Sequence, residues 1–227
     1  MGDKVTSFFY GKVAPFARPR GKEAFLKGLR PGDRVLDVGC GNNSPARAKL
    51  CASAVHYTGL DIGDYNQRVE SIRSADAYIV TSRADFASTI EASVDSFDAV
   101  VSSHNLEHCD EPERVLSAMC AALKKGGRLY LSFPSEASVT FPRRKKDTLN
   151  FFDDTTHTRP PELMQVLSIV RNGGLRVEFM TARHRPFIPM LVGLMLEPIS
   201  YLTQRAMPLG TTWALYGFET VIWAVRT

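Results

Sequence analysis

The sequence predicts an α/β fold in which a parallel, Rossmann-like sheet is covered by helices on both faces. Three observations carry that expectation. Short apolar runs alternate with amphipathic stretches, a glycine turn (Gly39-Cys40-Gly41) closes the first apolar run, and a carboxylate, Asp61, closes the second. Strands buried on both faces read as near-continuous apolar segments, and ligands of such sheets bind beyond the carboxyl ends of the strands.

In chain order, the periodicity fits a helix over residues 20–29, after which Pro31-Gly32-Asp33 turns into a strand over 34–38. Strands follow over 55–61, 77–81 and 97–102, then an amphipathic helix over 111–124. The turn Lys125-Gly126-Gly127 leads into a strand over 128–133. A polar, basic segment spans 134–160, and a helix over 161–171 is terminated by Asn172-Gly173-Gly174. Strands over 175–181 and 219–226 enclose an insertion of mixed apolar and basic character, too long for a plain connection. Residues 1–227 form one domain, with a ligand-binding core over 31–133 and acceptor-binding and lid segments over 134–217.

Composition narrows the class. A chain of 227 residues with 44% hydrophobic and 23% charged residues folds around a substantial core, which excludes a disordered chain. A net charge of +4 falls short of the concentrated basicity of a dedicated nucleic-acid binder. Cys40, Cys51, Cys109 and Cys120 lack the paired spacing of zinc or redox sites, so reduced thiols and a cytoplasmic location are expected. The apolar run over 187–196 is about half of what a spanning helix needs. Gly2 and Thr6 fit the loose myristoylation pattern.

Gly39 and Gly41 permit a tight turn and close approach of backbone to a ligand, and Asp61 stands where a carboxylate accepts both hydroxyls of a ribose. The two features at that separation indicate a nucleoside-containing cofactor. A dinucleotide fingerprint needs a third glycine where this chain has Ser44. Asp37 beside the turn would also repel a pyrophosphate, yet it suits the ammonium of S-adenosylmethionine (SAM).

These motifs resemble those of the class I SAM-dependent methyltransferases, particularly the small-molecule group called methyltransferase type 11. The resemblance extends to Arg83-Ala84-Asp85-Phe86, Phe97-Asp98-Ala99-Val100-Val101, Leu106-Glu107-His108 and Leu123-Lys124-Lys125-Gly126-Gly127. It implies a mostly parallel sheet with an antiparallel last strand, and SAM as cofactor. It further implies that Gly39 and Gly41 flank the methionine part, Asp61 takes the ribose, and Asp85 accepts from the adenine amino group. Ile62 and Phe86 would pack on the ring, and Ser103 would line the floor of the site.

A sulfonium methyl is already activated, so the enzyme has mainly to align the acceptor and exclude water, but an alcohol acceptor also needs a base or a metal. His104, Glu107 and His108 stand just past the fourth strand at three- and four-residue spacing, and with His157 they form a candidate metal site. This resembles the Glu-x-x-Glu-His plus distant His set of small-RNA 2′-O-methyltransferases and, more loosely, of ubiquinone-pathway O-methyltransferases. His104 replaces a carboxylate of that set. The stretch over 151–160 resembles one in methyltransferases encoded with bacterial surface-polysaccharide enzymes, with Thr155 in place of a proline, and makes His157 the first candidate for a base, ahead of His108.

Arg143 and Arg144, with Lys145 and Lys146, suit a phosphate on the acceptor. Arg183, Arg185, Phe187, Ile188, Met190, Leu191 and Leu194 suit either a helical lid packed over the site or a seat on the anionic inner membrane surface. The expected acceptor is a small or carbohydrate-containing molecule with a hydroxyl, with a phosphate-bearing acceptor of cell-surface polysaccharide synthesis as the candidate. RNA methylation and non-catalytic SAM binding are the alternatives.

Overall fold

The computed structural model describes residues 9–227, with side chains from Gly11 onward. Gly2 and Thr6 lie outside the described residues. Helix α1 (Lys22–Lys27) precedes β1 (Arg34–Val38), α2 (Ser44–Cys51) and β2 (His56–Asp61). Next come α3 (Val69–Ser74), β3 (Ala77–Val80), α4 (Phe86–Glu91), β4 (Phe97–Ser103), α5 (Pro112–Ala122) and β5 (Leu123–Pro134). The chain ends with α6 (Leu163–Asn172), β6 (Leu175–Thr181), α7 (Phe187–Thr203), α8 (Thr211–Tyr216) and β7 (Glu219–Arg226).

The seven strands form one sheet in the order β3-β2-β1-β4-β5-β7-β6, with β7 antiparallel to both neighbours and the pairs from β3 through β5 parallel. This is the expected α/β sheet. The order reverses between β1 and β4, which is where open α/β sheets leave a crevice. Register places the ligand edge: Val38 is level with Leu60 of β2 and with Ser102 of β4. Gly39, Asp61 and Ser103, each one residue further on, therefore come together at one end of the sheet. Ser103 pairs with Ser132, and Pro134 with Glu219, so Glu219 of the antiparallel strand reaches the same edge.

Alternation along each strand builds two cores. On one face Leu36, Val38, Val100, Leu129 and Ile222 pack under α4, α5 and α6, with Leu116, Met119, Leu167 and Val170. On the other, Val35, Tyr57, Val101 and Tyr130 pack against Phe25 and Leu26 of α1 and Ala48 of α2. Asp37 follows the parity of Val35 and so points to the α1 face.

One expectation changes in detail. Helix α5 ends at Ala122 and Leu123 already pairs with Phe97, so the turn around Gly126 (φ +77°) is a bulge inside β5 that restores register at Arg128 opposite Ala99. The insertion after β6 is largely helical. Helix α7 lies on α8 through Gly193, where a Cβ would stand 2.2 Å from the Thr211 carbonyl oxygen. Among the described residues, no helix is long and apolar enough to cross a membrane.

Candidate active site

A cavity of about 570 Å³ opens at the sheet edge described above, within the range of small-molecule sites. Gly39, Gly41, Asp61, Ile62, Phe86 and Ser103 all line it. Gly39 has φ +75°, and a Cβ there would meet Asn105 Oδ1 at 2.5 Å, so both conformation and space require glycine. At Gly41 a side chain would stand 3.6 Å from Asp61 Oδ2 and screen that carboxylate from the cavity. Asp61 is buried and accepts from the Ile62 N–H at 2.8 Å. Burial pushes its carboxyl up to about 6, with the N–H groups of Ile62 and Gly41 holding it from going higher. A buried carboxylate on the cavity wall, uncovered by a glycine, fits the two hydroxyls of a ribose.

Asp37 and Asp85 occupy other positions. Asp37 is fully buried and accepts from Tyr57 Oη at 2.5 Å, Ser44 Oγ at 2.7 Å and Lys22 Nζ at 2.8 Å. Lys22 and Ser44, which line the cavity, thus stand between Asp37 and any ligand ammonium. Asp85 is exposed, accepts from Ser82 Oγ at 2.6 Å and is not among the lining residues, whereas Ala84 and Phe86 beside it are.

At the acceptor end, Ser103 Oγ lies 2.8 Å from Ser132 Oγ. His104, with φ +53°, is clamped between two carboxylates: Nδ1 is 3.1 Å from Glu107 Oε1 and Nε2 is 3.0 Å from Glu219 Oε1. Its ring also stacks on Phe218 and leans on Trp213. Burial would lower its pKa, but the hydrogen bonds to Glu107 and Glu219 prevail and raise it to about 9. Burial likewise opposes ionisation of Glu219, yet Arg18, paired to its other oxygen, and then His104 hold it well below the usual carboxylate range. An imidazolium donating both N–H groups has no lone pair. His104 is therefore neither a base nor a metal ligand in this arrangement, which corrects its place in the candidate metal set.

His108 lines the cavity, and its Nδ1 lies 3.0 Å from Thr156 Oγ1. The Thr156 hydroxyl donates to Asp154 Oδ1 at 2.6 Å, so its oxygen accepts from Nδ1–H and Nε2 keeps the basic lone pair. His157 stands behind it and does not line the cavity: its ring lies 4.8 Å from that of His108 and 4.5 Å from Phe151, and Nδ1 donates to the Phe151 carbonyl at 2.5 Å. The loop is tied to the site by Thr158, whose N–H and hydroxyl both donate to the Glu107 carbonyl. Glu107, His108 and His157 bring ligand atoms within 4.8 Å of one another, and the buried Glu107 Oε2 has no hydrogen-bond partner.

The expected phosphate contact by Arg143 and Arg144 is corrected. Arg144 is buried and donates to Glu197 Oε1 at 2.6 Å and Ser200 Oγ at 3.3 Å, fastening α7 to the segment that follows β5. Arg143 lies over the Phe152 ring and donates to its carbonyl at 2.5 Å. Neither lines the cavity. Sequence reading missed Arg18, Lys22, Trp213 and Glu219, which do. Glu219 left a signal, a charge opening an otherwise apolar strand; the others left none at separations this long.

The family model described as a methyltransferase domain matches residues 12–184. A ubiquinone biosynthesis O-methyltransferase of Xanthomonas campestris pv. campestris (strain B100) is 36% identical over 118 residues, covering 49% of this chain and 47% of that protein. A 27-O-demethylrifamycin SV methyltransferase of Amycolatopsis mediterranei (strain S699) is 34% identical over 119 residues, covering 49% and 43%. The matches thus span about half the length of these curated relatives. The crystal structure of a SAM-dependent methyltransferase from Archaeoglobus fulgidus superposes with a TM-score of 0.54 at 18% identity, over 95% of this chain and 100% of that one.

Proposed function

The chain belongs to the class I SAM-dependent methyltransferase family, and on that premise we propose that it methylates a hydroxyl oxygen of a small-molecule acceptor with His108 as general base. The observation that carries this reading is one continuous cavity, lined by Gly41, Asp61 and Phe86 at its nucleoside end and by Ser103 and His108 beyond them. Bound SAM supplies an activated, electrophilic methyl group. Asp61 accepts from the ribose hydroxyls, and Ile62 and Phe86 enclose the base. His108 Nε2 takes the acceptor's hydroxyl proton as the oxygen attacks. Asp154, acting through Thr156, fixes the tautomer beforehand and stabilises the imidazolium afterwards. Trp213 and the Arg18–Glu219–His104 cluster wall the acceptor end.

The finer part of the proposal is that the acceptor carries carbohydrate, as in cell-surface polysaccharide synthesis; its support is the resemblance of residues 151–160. An RNA acceptor loses part of its support, since Arg144 of the basic loop is buried against Glu197. Steady-state assay of His108→Ala against acceptor panels tests the base: kcat should fall roughly 10²–10⁴-fold with SAM affinity retained. A fully active variant would remove His108 from the reaction.

A second reading rests on the cluster of Glu107, His108 and His157. These residues would hold a divalent cation that acidifies the acceptor hydroxyl. Two imidazoles and one carboxylate suit a borderline transition metal better than magnesium.

A further inference from the structure

Helix α7 turns a narrow face inward and a broad apolar face outward. Pro189, Gly193 and Ser200 are buried against the protein, whereas Phe187 (67% exposed), Leu194 (60%), Met195 (74%) and Leu202 (80%) stand in solvent with Ile188 and Leu191. The charge within the helix, Glu197, faces inward to Arg144 and Tyr216. The outward face is thus uncharged along all of α7, and a contiguous apolar surface of that extent marks an interaction site.

Cations frame this face at both ends. Arg183 and Arg185 precede the helix, both exposed, and both donate to the Tyr216 carbonyl, which sets two like charges side by side. At the other end the Lys145 and Lys146 N–H groups donate to the Gln204 carbonyl at 2.9 and 3.1 Å, holding two exposed lysines beside the helix terminus. Arg205 adds a third cation there, paired with Asp147. An apolar stripe framed by basic residues is the pattern of a helix lying in the interface of an anionic bilayer, its apolar side among the acyl chains and its cations at the headgroups. At 1.5 Å per residue the 17 residues of α7 span about 26 Å, ample to lie flat and too short to span.

We propose that the outward face of α7 docks the protein on an anionic lipid surface, with the helix parallel to the membrane plane. Helix α7 packs on α8, which supplies Trp213 to the cavity wall, so docking places the acceptor end of the site close to the bilayer. The docking surface itself does not depend on the methyl-transfer reading.

Cosedimentation of the full chain with two vesicle compositions, phosphatidylcholine alone and phosphatidylcholine with phosphatidylglycerol, tests this. Wild type should pellet with the anionic vesicles, less so as salt rises. Leu194→Glu/Met195→Glu should abolish pelleting, and Arg183→Gln/Arg185→Gln should weaken it by about 25-fold, about fivefold per cation. Both variants alter exposed side chains, and an unchanged far-UV spectrum and Tm would show that they fold. Wild type remaining in the supernatant with both vesicle types would overturn the proposal. So would a dimer in sedimentation velocity that Leu194→Glu/Met195→Glu converts to monomer while vesicle binding is unaffected, since a second copy would then be the occupant.

Discussion

Replacing Asp61 by alanine removes the buried carboxylate that the cavity presents between Gly41 and Ile62. A ribose diol donating to a carboxylate makes charge-assisted hydrogen bonds worth about 1.5–3 kcal/mol each, and losing even the weaker one corresponds to roughly a tenfold loss of affinity. Calorimetric titration with SAM should therefore show Asp61→Ala binding at least about tenfold more weakly. The raised pKa adds a second, independent signature. With a carboxyl titrating at about 6, roughly one Asp61 in eleven is ionised at pH 5, against nearly all at pH 7.5. If only the ionised form accepts both hydroxyls, SAM affinity falls about tenfold between those pH values, and proton release accompanies binding near pH 6. The ligand-free protein has the opposite sign. A carboxyl whose folded pKa is raised holds its proton more tightly when folded, so acidification through pH 6 stabilises the apo fold at this group. Unchanged affinity in Asp61→Ala, or preference for NAD over SAM, would refute the cofactor assignment, and a pH-independent Kd would refute the ionised-acceptor argument.

Further outcomes follow from the same geometry. His157→Ala should lower kcat less than His108→Ala, because His157 packs behind the cavity wall; equal losses in a metal-dependent manner would move both into a cation site. Overnight dialysis against chelator should leave activity intact if His108 acts as a base, whereas loss of activity restored by zinc or manganese would establish the second reading. Arg144→Ala strands Glu197 and should cost about 3 kcal/mol of stability by denaturant titration, without a selective rise in acceptor KM. Gly193→Ala forces a methyl onto the Thr211 carbonyl and should lower stability by about 1–3 kcal/mol, read as a lower Tm.

The sheet was largely legible in the sequence because strands buried on both faces leave nearly unbroken apolar runs, as in β1 and β7, and the edge strand β6 alternates apolar with polar residues behind the Gly173-Gly174 turn: the bounds of all three coincide with those read from the residues, and β2 differs by one. The glycine turn and Asp61 were legible because strand ends carry them into one place by register alone. The bounds of helix α7 were hidden by residues that ordinarily break helices. Pro189 falls in its first turn, where no intrahelical N–H is required, and Gly193 serves the close approach to α8. Long-range pairing was illegible. Lys22 covering Asp37 and Glu197 claiming Arg144 are contacts across 15 and 53 residues, and neither changes the local pattern of either partner. His104 was displaced from the metal set and His157 drawn back from the cavity wall for the same reason: Glu219 lies 115 residues from the first, and the backbone carbonyl that meets Nδ1 of the second carries no sequence signature.

Incubating the protein with deuterium-labelled methyl-SAM and candidate hydroxyl acceptors or a cell extract, and following the label by mass spectrometry, shows where the methyl group goes. Wild type should yield a labelled methyl ether together with equimolar S-adenosylhomocysteine, and His108→Ala should yield neither. Tight SAM binding with no labelled product, or label recovered on nitrogen or carbon, would contradict transfer to a hydroxyl oxygen.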